Sequence, residues 1–158
     1  MHPDNGFHQL DRQECLRRLA TVPIGRIVYT SEALPAVLPV NFSLDSDYSV
    51  IIRTSTGSRL AGSVNGAVVA FEADQIDAAT SSGWSVIVTG IAHVVTDPEE
   101  HRRLEVVGPD SWGPVADGVY ILIEPELVTG RALGSHADLI APPEPRDATS
   151  AAGLWTIP

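Results

Sequence analysis

The stretch "GWSVIVTGIAHVV", residues 83–95, decides the fold. It is rich in β-branched residues, runs for about a dozen positions and carries Gly90 in its middle, so it reads as one long strand bent at the glycine. Long bent strands close barrels.

The flanking sequence supports this. Before it, "GRIVYT" (25–30), "AVLPVNFSL" (36–44), "YSVIIRT" (48–54) and "AVVAFEAD" (67–74) are short apolar runs punctuated by turn residues. The first three form an expected antiparallel meander. Pro39 inside the second confines it to an edge or a bulge, because proline donates no ladder hydrogen bond. After the long strand, "GVYILIEPELVTG" (118–130) gives one last strand.

Helices are announced by their caps. In "LDRQECLRRL" Asp11 caps residues 11–20, Glu14 stands at the third helical position to bond back, and Leu10 can staple onto Cys15. "DPEEHRRLEVV" repeats the pattern with Asp97, Pro98 and Glu100. A one- or two-turn helix follows Gly57, with Leu60 and Val64 four apart. Trp112 falls in a loop. The sum is about six strands and two or three short helices, a mainly β chain and a small antiparallel barrel. Residues 135–158, rich in Ala and Pro, read as a tail outside the 1–134 domain, with an apolar "LWTIP" able to dock on a partner.

Composition excludes several functions. A chain of 158 residues with net charge -10 repels phosphate backbones and anionic membranes, so neither nucleic acid nor membrane is an expected partner. All ten basic residues are arginine, so no lysine is present to form a Schiff base. With one cysteine, no apolar run of membrane-spanning length and no signal-peptide core, the expected compartment is the cytoplasm. His2, His8, His93, His101 and His136 have no metal-ligand spacing, and no Ser, His and Asp set suggests hydrolysis. No catalytic residue or metal site is assigned. A chain without acid, base or nucleophile leaves hard chemistry to a cofactor.

One polar cluster stands out. "IIRTSTGSR" (51–59) sets Arg53 and Thr54 at a strand end, hydroxyls in the turn, and Ser58 and Arg59 at a helix start. Two readings fit: a phosphate monoester site built from forked guanidinium and hydroxyl donors, or a polar turn with two solvated arginines. Cys15 is read as a small buried hydrophobe.

The ordered series "GRIVYT", "LPVNFSLDSDYSVIIRTSTGSRL", "GWSVIVTGIAHVV" and "VTGRAL" resembles the pyridoxamine 5′-phosphate oxidase-like family of FMN-binding split barrels, near the nitroimidazole-resistance proteins. The resemblance covers residues 9–134. It implies a six-stranded antiparallel split β-barrel and a homodimer with FMN in clefts at the subunit interface. By resemblance, Arg53, Thr54, Ser58 and Arg59 hold the phosphate, with Arg59 standing where many relatives carry lysine. Val40, Asn41 and Ile52 line the isoalloxazine, and Trp84, Ser85 and Val86 approach the cofactor from the long strand. Trp84 also fits core or dimer interface.

A second basic set to grip a vitamin B6 phosphate is missing, so oxidation of that vitamer is not expected. Some relatives take a deazaflavin coenzyme or haem; for haem, His136 is the one axial candidate. The implied function is a flavin-dependent oxidoreductase reducing a small electrophile. The alternatives are a flavin-binding store or sensor without turnover, and a deazaflavin-dependent reductase.

Overall fold

A computed structural model describes residues 6–111 and 117–134. Trp112, His2, His136 and the 135–158 tail lie outside the described residues. The elements are β1 (Phe7–Leu10), α1 (Arg12–Leu19), β2 (Ile24–Ser31), β3 (Leu34–Leu44), β4 (Val50–Ser55), α2 (Arg59–Val64), β5 (Val68–Asp77), β6 (Ser82–Val94), α3 (Pro98–Val107), β7 (Gly118–Ile123) and β8 (Leu127–Leu133).

The helices begin where their caps are. The Asp11 carboxylate accepts from Glu14 N at 2.8 Å, and Cys15, Leu16 and Leu19 turn inward. Glu14 does not bond back; it pairs with Arg17 and Arg18 instead. At α3 the Asp97 side chain accepts from Glu99 N at 3.2 Å, while Glu100 pairs with Arg103. Both helices thus use half of the anticipated capping box, because an arginine within one turn competes for the glutamate.

Strands β2, β3 and β4 follow one another antiparallel as a meander, and β6 pairs with both β5 and β7 to close the ring β6-β5-β2-β3-β4-β7. This is the expected mainly β fold: a closed six-stranded antiparallel barrel with three helices. Alternate residues of β2 turn inward, and Ile27, Phe42, Ile52, Phe71, Val88 and Ile121 fill the interior, Phe42 meeting Phe71 edge-to-face at 4.7 Å. Each such side chain contributes about 1.5–3 kcal/mol by leaving water.

Two strands were not anticipated. β1, with its four residues, pairs along β8 outside the ring. The expected last strand is two, β7 and β8, which run along the same edge of β6: Ile121–Ile123 lie opposite Val94–Ala92, and Leu127–Leu133 opposite Thr89–Gly83. The break falls at Pro125, which has no N–H to offer, and Glu126 N turns back to Glu124 O at 2.9 Å. Gly90 faces this break. A Cβ there would lie 1.7 Å from the Glu124 carbonyl oxygen, so glycine is what lets the long strand pass from β8 to β7.

Pro39 pairs opposite Arg26 with no bulge. Its other side is an edge, because β3 meets β4 only from Phe42 to Leu44. Among the described residues no helix is long and apolar enough to cross a membrane, and no cluster of His, Cys, Asp and Glu could hold a metal.

Candidate functional site

The β3–β4 ladder ends at Phe42 and Ile52. Beyond that pair Val40 and Asn41 on β3 part from Arg53 and Thr54 on β4, so the two strands fork at one end of the barrel. Ser58 caps α2, accepting from Ala61 N at 3.1 Å and from the Thr54 hydroxyl at 3.0 Å. Both acceptor positions of Ser58 Oγ are thereby used, and its own proton is left to donate. Strand alternation sends Arg53 and Thr54 to opposite faces of β4. The structure therefore joins Thr54 to Ser58 but brings no contact between Arg53 and that pair.

Arg53 lies on the face covered by α3. Its Cζ is 5.7 Å from the centroid of the Tyr120 ring, and its Nε is buried without any acceptor among the described residues. No carboxylate pairs with it among the described residues. An orphaned, desolvated donor on a cation costs free energy unless an anion completes it. The guanidinium runs over Gly118, the partner of Ser55, towards the end of the strand where the 55–58 turn begins. Arg59 is exposed at the first position of α2, again without an ion pair among the described residues. Arg53 thus lies near the end of β4 on one face, and the Thr54–Ser58 pair, followed by Arg59, lies on the other.

Loop segments are tied around this end. Asn41 donates from its side-chain amide to the Asp110 carbonyl, Ser43 Oγ donates to Val107 O at 2.9 Å, and Thr56 donates from N and Oγ1 to Asp117 O at 3.0 and 2.8 Å. The Asn41 side chain is therefore engaged with the chain itself. Val40 packs against the core and Ile52 is wholly inside it, so only their backbones could reach a ring edge.

The other three expected residues sit elsewhere. β6 is 13 residues long, about 40 Å at roughly 3.3 Å per residue, and Trp84 lies near one end while β7 crosses the other. Trp84 is 6% exposed and Val86 fully buried, both in the core cluster. Trp84 and Ser85 also line a cavity of about 280 Å³ together with Phe7, Ile76, Arg131 and Leu133, the Arg131 guanidinium resting 4.9 Å from the Phe7 ring centroid. Within one chain the phosphate candidates and the Trp84 cavity are separate. Sequence reasoning missed Gly118 and Tyr120 beside Arg53, because the β4–β7 pairing that delivers them joins segments more than sixty residues apart in the chain.

The remaining titratable groups are structural. Burial pushes the Cys15 thiol up, which suits an inert core residue. His93 pairs with Glu124 at 3.3 Å and His101 with Glu105 at 3.4 Å, both on the surface. Arg26 on β2 holds Glu72 at 3.2 Å and Asp74 at 3.5 Å; burial, then the hydrogen bond with Asp74, raises the Glu72 carboxyl.

A closed six-stranded barrel with an anion-seeking corner where β4 meets α2 defines a class, and the comparisons with known proteins agree with it. The pyridoxamine 5′-phosphate oxidase family model matches residues 11–132, and the chain belongs to that family. An uncharacterised Mycobacterium tuberculosis protein is 44% identical over 128 residues, covering 77% of this chain and 82% of its relative. Among solved structures, the FAD binding protein from Mycobacterium smegmatis is 31% identical with a TM-score of 0.71, covering 81% of this chain and 99% of that one. A conserved protein of unknown function from Corynebacterium diphtheriae is 33% identical with a TM-score of 0.69, covering 82% and 99%.

Proposed function

We propose that the chain binds a flavin, with FMN as the preferred form, and works as a homodimeric oxidoreductase that reduces a small electrophilic molecule. The carrying observation is Arg53, a guanidinium with a buried orphan Nε and no counter-ion among the described residues, at the same barrel end as the Thr54–Ser58 hydroxyl pair and Arg59. In this reading Arg53 and Arg59 supply charge, Ser58 donates a hydrogen bond to the phosphate, and Thr54 fixes the Ser58 hydroxyl. The backbones of Val40, Asn41 and Ile52 border the ring, and Trp84, Ser85 and Val86 shape the cleft. The flavin would supply the electron transfer; the chain's own residues bind and orient it. Family membership and the Mycobacterium smegmatis neighbour, an FAD binding protein, support the flavin class of cofactor.

The outward face of the sheet supports a dimer. Register places Val37, Val28, Ala70, Thr89 and Leu127 side by side across five strands, with Val37 62% and Leu127 59% exposed. Ile87 and Val68 extend this apolar row. A second copy covering it would remove the apolar surface from water.

The test is the visible absorbance spectrum of the purified protein, then titration of the apo form with FMN, FAD and a deazaflavin coenzyme. A flavin spectrum, FMN binding tighter than the other two and rapid reduction by a nicotinamide support the proposal. Preference for the deazaflavin, or a bound flavin inert to every nicotinamide, would replace it with the deazaflavin-dependent or the storage reading. Sedimentation at micromolar concentration decides the dimer.

A further inference from the structure

Arg53 is held by shape rather than by partners. In the β4–β7 ladder Ser55 lies opposite Gly118 and Arg53 opposite Tyr120, so the arginine, leaning towards Gly118, crosses the neighbouring strand at the one position that has no side chain. A Cβ at residue 118 would stand 2.5 Å from Arg53 Nε, 2.8 Å from Nη2 and 3.1 Å from Cζ. The guanidinium therefore occupies the space that any other residue would fill. Beside it stands Tyr120, 2% exposed, whose ring also meets the His101 ring edge-to-face with centroids 5.0 Å apart. Tyr120 also packs in one buried cluster with Ile51 and with Leu104 of α3.

We infer that Gly118 and Tyr120 form a guanidinium slot that positions Arg53 as the phosphate ligand and commits that position to arginine. The inference rests on the phosphate reading proposed above. A long flexible cation loses rotamer freedom when it binds an anion, and a slot that orders it beforehand removes that loss from the binding step. Tyr120 contributes through the attraction of its ring for the cation, and Gly118 through the absence of a side chain. A lysine has no Nε and no planar head, so it would leave the slot unfilled. Both are positioning residues, acting on the ligand only through Arg53.

Gly118 has no left-handed backbone conformation, so an alanine there fits the strand and displaces only the movable end of the Arg53 side chain. Gly118→Ala is therefore the central test, read as the ratio of FMN to riboflavin affinity, since riboflavin lacks the phosphate. The expected result is a roughly tenfold loss of FMN affinity with riboflavin affinity unchanged, the size of one charge-assisted contact. Tyr120→Leu should move the ratio the same way, and Tyr120→Phe should restore it. In the Gly118→Ala background, Arg53→Lys should recover part of the ratio, because the slimmer side chain no longer meets the new Cβ.

A second readout needs no flavin: the Arg53 Nε–H resonance should be protected from solvent exchange in the native protein and lose that protection in Gly118→Ala. If Arg53→Ala collapses the ratio and Gly118→Ala does not, the slot is overturned while the phosphate site stands. If Arg53→Ala leaves the ratio unchanged, or the native protein binds no flavin, the phosphate reading fails and the slot's role falls with it.

Discussion

The β4–α2 corner and the first turn of β6 were drawn into the site by one resemblance, yet they differ in what their side chains are free to do. At the corner Arg53 has no anion among the described residues, Ser58 keeps a proton to donate, and Arg59 reaches solvent. At the start of β6, Trp84 and Val86 are spent on the core, with only the surface of Trp84 and the half-buried Ser85 left to line a cavity. Polar groups left unsatisfied point to an absent ligand, whereas apolar groups fully packed explain themselves. The difference teaches that a shared motif divides into residues left free to meet a ligand, as proposed for the corner, and residues committed to the core.

The largest expected effect breaks or keeps this division at Trp84. Trp84→Ala should cost about 3–5 kcal/mol of stability, as large-to-small changes of buried aromatics do, seen as a fall in the midpoint of denaturant unfolding. A stable Trp84→Ala protein with impaired flavin binding would move Trp84 into the same class as the corner. Next in size is the corner itself. The Arg53→Ala/Arg59→Ala double variant should bind FMN about 100-fold more weakly, two charge-assisted contacts being lost, while its unfolding midpoint stays close to that of the unchanged chain. Unchanged affinity would return "RTSTGSR" to a solvated polar turn.

How much of this was legible depends on whether the determinant is local. Asp11 and Asp97 mark their helices because a cap acts within three residues, and Gly90 marks the bend because an isolated glycine in a strand signals close backbone approach. The order of the meander is also local, each hairpin closing on its own turn. The division of the last strand at Pro125 is visible in the sequence once proline's missing donor is taken seriously, although the apolar run continues across it. β1 is too short to announce itself. The Arg53 environment was beyond reach: Gly118 and Tyr120 are ordinary members of "GVYILI" until β7 pairs with β4. Strand alternation was legible and shows that Arg53 and Thr54 leave β4 on opposite faces.

A smaller effect sharpens the comparison inside the corner. Ser58 is both the cap of α2 and the proposed phosphate donor, so Ser58→Ala should cost about 1 kcal/mol of stability and weaken FMN more than riboflavin. Ser58→Asp keeps a capping oxygen but brings negative charge. It should restore the stability and weaken FMN further, separating the two roles in one pair of measurements.

The smallest effect concerns the support behind the corner. Arg103 of α3 grips Asp45 of the β3–β4 turn with two hydrogen bonds, at 2.9 and 2.6 Å, and also pairs with Glu100. The hydrogen bonds from Arg103 hold the Asp45 carboxyl below the usual value of 3.8, and its hydrogen bond to Glu100 keeps that carboxyl low as well. A carboxylate whose folded value is depressed contributes stability at every pH above its unfolded value and loses that contribution as the pH falls through the folded one. The tie therefore holds at neutral pH and weakens only as the pH falls below the ordinary carboxylate value and through the lower folded one. Arg103 is partly exposed, so solvent and salt limit the gain to a fraction of what the geometry suggests. Arg103→Gln should thus lower the unfolding midpoint slightly at pH 7, with the difference shrinking as the pH is taken down through the acid range. Because α3 also seats Tyr120, the same variant should leave the FMN to riboflavin ratio unchanged if Leu104, rather than the ion pair, is what anchors the helix. A fall in that ratio above pH 4 would show that the helix surface, and not its buried face, holds the arginine slot in shape.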